Sequence, residues 1–80
     1  MEIRFFAGAA EAAGRQSRLL EVPPEHTVAD VVRRIVGDDA RLGRVLDVSA
    51  LLLDGVRVTD RNNPVGAATQ LDVLPPFAGG

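Results

Sequence analysis

The sequence predicts an α+β domain in which one mixed sheet of about five strands packs against one main helix. Two segments near the start have the residue preferences of strands, and one amphipathic helix follows them. The chain then returns to strand, with an Asp-Gly hairpin and a final segment of alternating apolar residues. A pair of strands, a crossing helix and a return to the sheet are typical of this two-layer architecture.

The first strand is predicted over residues 2–7 (EIRFFA). Successive side chains of a strand point to opposite faces, so Ile3 and Phe5 should share one face. By the same alternation, Arg4 and Phe6 should lie on the other face.

An Ala- and Gly-rich segment, residues 8–14, is expected to be a connection that is too long for a two-residue hairpin turn. The second strand is predicted over residues 17–22 (SRLLEV). Pro23 and Pro24 end it, because proline lacks the N–H that a strand ladder needs.

The clearest helix begins after Thr27, which is suited to cap it together with Asp30 in a capping box. Gly37 is suited to the left-handed conformation that ends many helices. Between them the apolar residues have helical spacing and predict one buried stripe: Val28, Val31, Val32, Ile35 and Val36. Valine is a mediocre helix former, so this helix should depend on tertiary packing.

Residues 40–47 (ARLGRVLD) are compatible with one short helix, although their pattern does not decide it. Residues 51–58 (LLLDGVRV) predict a hairpin, because Asp54-Gly55 is a favoured type I′ turn between two strand-like runs. A loop is expected from Asp60 to Ala68.

The last strand is predicted over residues 69–74 (TQLDVL), with Leu71 and Val73 pointing inward. Val32 and Ile35 of the helix should pack against that inner face. By analogy with known folds, the β-grasp arrangement would insert this strand beside the first one and parallel to it. Residues 1–74 would then be the domain and residues 75–80 a flexible tail.

Composition limits the functions that the chain can have. Its 80 residues are 46% hydrophobic and include no cysteine, which predicts one small domain held together by apolar packing. We expect a cytoplasmic protein, since we find neither a signal peptide nor an apolar run of about 18 residues. All nine basic residues are scattered arginines, and the adjacent Arg33 and Arg34 fall near a predicted helix end. Nucleic-acid and membrane partners are therefore not expected.

The chain resembles the ThiS/MoaD family of ubiquitin-like sulfur carrier proteins over nearly its whole length. The resemblance lies in RFFA at residues 4–7, Glu11 with Gly14, the hairpin turn, and above all LDVLPPFAGG at residues 71–80. Two features differ from many members: Ala10 stands where arginine is common, and residues 66–69 read GAAT where an Asp-Gly-Asp turn is common.

The resemblance implies that the C-terminal carboxylate of Gly80 is the reactive group. A partner adenylyltransferase of the ubiquitin-activating type would adenylate it with ATP and magnesium, and a sulfur donor protein would convert it to a thiocarboxylate. Pro75 and Pro76 would stiffen the base of the tail. Phe77, Ala78 and Gly79 would thread with Gly80 into the partner, and the six tail residues reach about 20 Å.

The residues indicate a chain that catalyses nothing alone and itself binds no cofactor or metal, because it has one histidine, no cysteine, no lysine and no phosphate-binding glycine loop. His26 is expected in a solvent-exposed loop, and the pair Asp38-Asp39 is read as a polar helix exit in preference to a metal site. We expect Phe6, Leu74 and Phe77 to form the partner-docking surface on the helix-free face of the sheet. A second short helix covering Phe6 is the alternative.

Several functions remain open on the sequence. The small subunit of molybdopterin synthase is preferred, with the large subunit as sulfur acceptor, because RFFA and PPFAGG look most like that branch. Carriers serving thiamine, cysteine or a specialised sulfur metabolite are alternatives. A ubiquitin-like modifier joined to target lysines through Gly80 is an alternative of another class, and an interaction module with an inert tail is a third.

Overall fold

A computed structural model describes residues 1–76 of the chain, and within them the predicted α+β architecture is confirmed. The strands are β1 (Glu2–Phe5), β2 (Ser17–Leu19), β3 (Ala50–Leu53), β4 (Val56–Arg57) and β5 (Gln70–Leu74), and the helices are α1 (Gly8–Ala13), α2 (Val28–Val36) and α3 (Ala40–Val48). The five strands form one sheet in the order β2-β1-β5-β3-β4.

The last strand lies beside the first and runs parallel to it, as the analogy predicted. In this pair Ile3 is opposite Leu71 and Phe5 is opposite Val73. The remaining strand pairs are antiparallel. This mixed sheet with helices is the β-grasp fold.

One buried cluster joins the inner face of the sheet to the helices. Val32 and Ile35 of α2 belong to it together with Leu71, as predicted. Its members, in chain order, are Ile3, Phe5, Ala9, Val28, Val31, Val32, Ile35, Leu42, Leu46, Leu51, Val65, Leu71 and Val73. Four residues of the predicted apolar stripe of α2 lie in this cluster. Their burial stabilises the helix, which the modest helix propensity of valine would not do alone.

The predicted capping box begins α2. The Asp30 N–H donates to Thr27 Oγ1 at 3.1 Å, and the Thr27 N–H donates to Asp30 Oδ2 at 2.9 Å. Gly37 ends the helix with positive φ, as expected, but its ψ of −122° lies outside the left-handed helical region. Its N–H donates to the carbonyl of Arg33.

The prediction of a loop over residues 8–14 was wrong, because these residues form α1. Alanine and glutamate have high helix propensity, and Ala9 is fully buried in the core beside α3. Gly14 then ends α1 in the left-handed conformation, at φ 73° and ψ 19°.

Residues 40–47, which the sequence left undecided, lie in the helix α3. It begins after Asp39, whose Oδ1 accepts a hydrogen bond from the Leu42 N–H at 3.0 Å. Arg61 secures the other end of α3, because its Nη2 donates to the carbonyls of Leu46 and Ser49 at 2.9 Å each.

The strand boundaries differ from the sequence predictions by more than one residue at two places. β1 ends at Phe5, since Ala7 has a positive φ of 49° and starts the turn into α1. β2 ends at Leu19, three residues before the predicted end at Val22. The hairpin turn is confirmed, with Asp54 and Gly55 both at positive φ.

Within residues 1–76, no helix is long and apolar enough to cross a membrane.

Candidate functional site

The candidate site is the root of the C-terminal tail, which we define as Leu74, Pro75 and Pro76. Leu74 is the last residue of β5 and is paired with Ala50 of β3. Proline has no N–H to donate, so the two prolines cannot continue the sheet ladder. The tail therefore leaves the sheet at its central strand. The other predicted site residues, Phe77, Ala78, Gly79 and Gly80, lie outside the described residues.

The helix-free side of the tail root carries two of the three predicted docking residues. Phe5 is paired with Val73, and the next N–H, that of Phe6, donates to the Val73 carbonyl at 3.2 Å. The register thus brings Phe6 level with Leu74. Phe6 is 39% exposed and Leu74 is half-buried, and neither is in the core cluster. No helix buries Phe6, and its docking role remains a prediction.

An ion pair lies next to Phe6 on the same face. Arg4 and Asp72 are opposite each other in the β1–β5 register, and the Arg4 guanidinium makes two hydrogen bonds to the Asp72 carboxylate. The pKa of Arg4 is raised, chiefly by that hydrogen bonding. The guanidinium carbon also lies 5.4 Å from the Phe6 ring centroid, within the range of a cation–π contact.

This pair contacts the exposed aromatic ring beside the strand that leads into the tail. Sequence reasoning placed Arg4 on the outer face but missed its partner. Asp72 falls on that face by simple alternation. Its contact with Arg4 depends on the parallel register, which periodicity alone does not give.

The opposite side of the tail root borders an open groove of about 290 Å³. Its walls are Gly8, Pro75 and Pro76, together with one face of α3: Arg41, Arg44, Val45 and Val48. Sequence reasoning did not single out these α3 residues. Their i, i+3, i+4, i+7 spacing was visible, but it gained meaning only once the tail root was placed beside the helix.

The residues considered for other chemistry have structural roles. His26 is half-buried, which differs from the predicted exposed loop, and its backbone bonds Pro23 and Val65. Its Nδ1 is buried and has no hydrogen-bond partner within the described chain. Asp39 caps α3. Across residues 1–76, no group of histidine, aspartate and glutamate could hold a metal ion.

The chain is similar to known proteins over almost all of its length. The model of the ThiS family matches residues 3–80. The structure of SAMP1, a small archaeal modifier protein from Haloferax volcanii, has 30% sequence identity and a TM-score of 0.80, covering 100% of this chain and 98% of that one. No curated protein matches this chain.

Two structures with lower identity share the fold. A putative molybdopterin converting factor subunit 1 from Pyrococcus furiosus is 18% identical with a TM-score of 0.78, and 95% of each chain is covered. A chain from the complex of molybdopterin-converting factor subunits 1 and 2 of Helicobacter pylori is 23% identical with a TM-score of 0.67. That match covers 99% of this chain and 96% of the other.

Proposed function

The chain belongs to the ThiS family of ubiquitin-like sulfur carrier proteins, and we propose that it carries sulfur as a thiocarboxylate at Gly80. The observation that carries this proposal is that the family match extends to residue 80 and so includes the Gly-Gly end. In this proposal the chain is a co-substrate of other enzymes and has no catalytic activity of its own.

The chemistry starts from a carboxylate, which is a poor electrophile. A carboxylate oxygen of Gly80 attacks the α-phosphorus of ATP on the partner adenylyltransferase, and pyrophosphate leaves. The terminal sulfur of a persulfide on the donor protein then attacks the carbonyl carbon, and AMP leaves. A thiol cleaves the resulting acyl disulfide, which releases the thiocarboxylate and leaves the donor's sulfur in a disulfide. ATP and magnesium belong to the partner in this scheme.

The tail root suits the entry of the tail into a partner's active site. Pro75 and Pro76 restrict φ and donate no hydrogen bond, so the tail loses less conformational entropy when it is captured. Gly79 and Gly80 have no side chain to obstruct a narrow passage. The compact domain stays outside while the tail reaches up to about 20 Å inward.

For the pathway, we propose molybdopterin biosynthesis, with the large subunit of molybdopterin synthase as the sulfur acceptor. The support is the sequence at the two ends of the domain, RFFA at residues 4–7 and PPFAGG at residues 75–80. The molybdopterin converting factor structures share the fold at 18% and 23% identity, so they add no evidence on the pathway. Thiamine, cysteine and specialised sulfur metabolites remain the alternative destinations.

A second candidate function is attachment to other proteins, and one comparison favours it. SAMP1, which is named as a modifier, is 30% identical to this chain in a match that covers 100% of this chain and 98% of SAMP1. The same adenylate of Gly80 could be attacked by a lysine amine of a target instead of by sulfur. This chain contains no lysine, so it could be attached singly but could not form lysine-linked chains.

Deletion of Gly80 tests the proposal. We expect the wild-type chain to support ATP–pyrophosphate exchange by the organism's own adenylyltransferase, and the shortened chain to support none. Thermal melting should be unchanged, because a terminal glycine has no side chain that could add to the core. Arg57→Gln is the control, since Arg57 lies on the edge strand β4 outside the tail, and it should retain exchange. Undiminished exchange with the shortened chain would refute the role of Gly80.

The product separates the carrier from the modifier. After incubation with ATP, the adenylyltransferase and the sulfur donor, the carrier should gain the mass that corresponds to replacement of one oxygen by sulfur. Immunoblotting of cells that express a tagged chain should then reveal no larger covalent adducts. Adducts that disappear when Gly80 is deleted, with no thiocarboxylate formed, would favour the modifier.

A further inference from the structure

Helix α3 has two differently used faces. One face is in the core through Leu42 and Leu46. The other has an i, i+3, i+4, i+7 stripe, in which Val45 is half-buried against the core and the other three residues are exposed: Arg41, Arg44, Val45 and Val48. We call these four residues the α3 stripe. Val48 is 63% exposed, so the stripe presents an apolar side chain to solvent next to two cations.

The α3 stripe lies against the tail root. Gly8, Pro75 and Pro76 complete the groove of about 290 Å³ that it lines. Pockets that bind small ligands bury most of the ligand's surface in volumes of roughly 300–1,000 Å³, whereas this groove is open and slightly smaller. A side chain presented by a protein suits it better than a small molecule.

The charge of the groove has one sign. Both charged residues of its wall are arginines, and Asp47 of the same helix is not part of that wall. Four other arginines bind groups within residues 1–76: Arg4, Arg33, Arg34 and Arg61. Arg41 and Arg44 make no side-chain hydrogen bond within those residues. They are therefore available to a negatively charged partner.

We propose that the α3 stripe is a second contact surface for the enzyme that adenylates Gly80. Its occupant is an acidic segment of that enzyme, in which carboxylates pair with Arg41 and Arg44 and an apolar side chain packs on Val45 and Val48. The inference rests on the proposed function. It adds a surface on the helix side of the tail root, distinct from the face of Phe6 and Leu74.

The adenylating enzyme is the occupant that we favour for two reasons. The adenylation step is shared by the carrier and the modifier, so this partner is required whichever of them is correct. The groove also continues directly into the tail root, so an enzyme that captures the tail must approach it. Contacts on both sides of the tail root would fix the direction in which the tail enters the enzyme. The arginines at the rim of the groove would also speed the encounter of the two proteins.

Charge reversal of the two arginines is the principal test. The variant Arg41→Glu/Arg44→Glu is compared with Arg15→Glu/Arg57→Glu, two exposed arginines that make no side-chain hydrogen bond in the described chain. Each Arg→Glu replacement lowers the net charge by two, so both double variants change it from −2 to −6. The readout is ATP–pyrophosphate exchange by the organism's own adenylyltransferase as a function of carrier concentration.

We expect the KM for the α3-stripe variant to rise roughly five- to tenfold with kcat unchanged, while the control pair stays near wild type. The difference should shrink as salt is raised, because salt screens exposed charges. A second pair of variants tests the apolar part. Val48→Ser should raise KM on the order of threefold, whereas Val56→Ser, at a valine that is 70% exposed on β4, should not.

The other outcomes each overturn the inference. Equal KM values for the α3-stripe and control variants would show that the groove is not contacted. A lower KM for the α3-stripe variant would mean that the chain's own tail occupies the groove. If sedimentation shows that the wild-type chain self-associates and the α3-stripe variant does not, the groove binds a second copy of this chain. Failure of the wild-type chain to support any exchange would refute the proposed function, and the inference with it.

Discussion

Arg4 and Asp72 face each other across the parallel β1–β5 pair and are joined by two hydrogen bonds, Nε to Oδ1 at 2.7 Å and Nη2 to Oδ2 at 2.9 Å. The Asp72 side chain is only 8% exposed, although it lies on the face without helices. Arg4 covers it and at the same time contacts the Phe6 ring. The pair therefore couples the register of the central strands to the surface beside the tail.

Removing one partner of this pair should cost more stability than removing both. Arg4→Gln leaves the shielded Asp72 carboxylate without its cation, so we expect a clearly lower melting temperature. The double variant Arg4→Leu/Asp72→Leu removes both charges and should recover most of the loss. Arg57→Gln on the edge strand β4 is the control and should melt like wild type. Equal melting of Arg4→Gln and this control would show that the pair is not coupled to folding.

Gly37 and Gly8 provide a matched pair for testing backbone strain. A Cβ atom added at either glycine would meet no atom within 4 Å, but only Gly37 has a positive φ, of 55°. Gly37→Ala should therefore destabilise the protein by about 1–2 kcal/mol, since an L-residue is strained there. Gly8→Ala should be neutral or stabilise by up to about 1 kcal/mol. Urea unfolding at one pH measures both, and equal effects would contradict the strain argument.

Asp30 should make stability depend on acid pH. Its pKa is lowered chiefly because it accepts a hydrogen bond from the Thr27 backbone N–H. A lowered pKa in the folded state contributes stability above the unfolded value of about 3.8, and that contribution is lost as the pH falls through the folded pKa. Asp30→Asn should therefore be less stable than wild type at pH 7, and the gap should close below about pH 3.8.

Urea unfolding at several pH values between 7 and 2 measures this gap. Asp47→Asn is the control, because Asp47 is an exposed aspartate that makes no side-chain hydrogen bond in the described chain. Its curve should run parallel to that of the wild type. A gap for Asp30→Asn that is independent of pH would mean that the capping carboxylate is not the titrating group.

The parts of the fold that could be predicted from sequence are those specified by local patterns. The α2 stripe, the Thr27–Asp30 capping box and the Asp54-Gly55 turn are each readable within a few residues. Helix α1 was missed because a six-residue Ala-rich segment has no apolar periodicity, and its helicity depends on the burial of Ala9.

The parts of the site that were missed depend on tertiary neighbours. The contact between Arg4 and Asp72 requires the parallel register of two strands that are far apart in the chain. The α3 stripe becomes part of a groove only because Pro75 and Pro76 pass beside it. The outward positions of Phe6 and Leu74 could be predicted, because they follow from strand alternation and one assumed pairing.

The docking surface on the helix-free face remains to be tested. Phe6 and Leu74 are level with each other at the end of the sheet where the tail begins, and Phe6 is 39% exposed. Apolar side chains near the centre of an interface contribute most of the binding energy. Phe6→Ser and Leu74→Ser should therefore each weaken binding to the adenylating enzyme roughly tenfold or more, by calorimetric titration.

Leu19→Ser is the matched control for this last prediction. Leu19 is 80% exposed and pairs with Glu2 on the same face of the sheet, but at the end remote from the tail root. Its replacement should leave the affinity unchanged. All three variants should keep melting temperatures close to wild type, because none of these side chains belongs to the core cluster. Wild-type affinity in both Phe6→Ser and Leu74→Ser would assign the docking surface to another part of the domain. Equal weakening by Leu19→Ser would mean that any exposed apolar side chain on this face of the sheet contributes to binding, whatever its distance from the tail root.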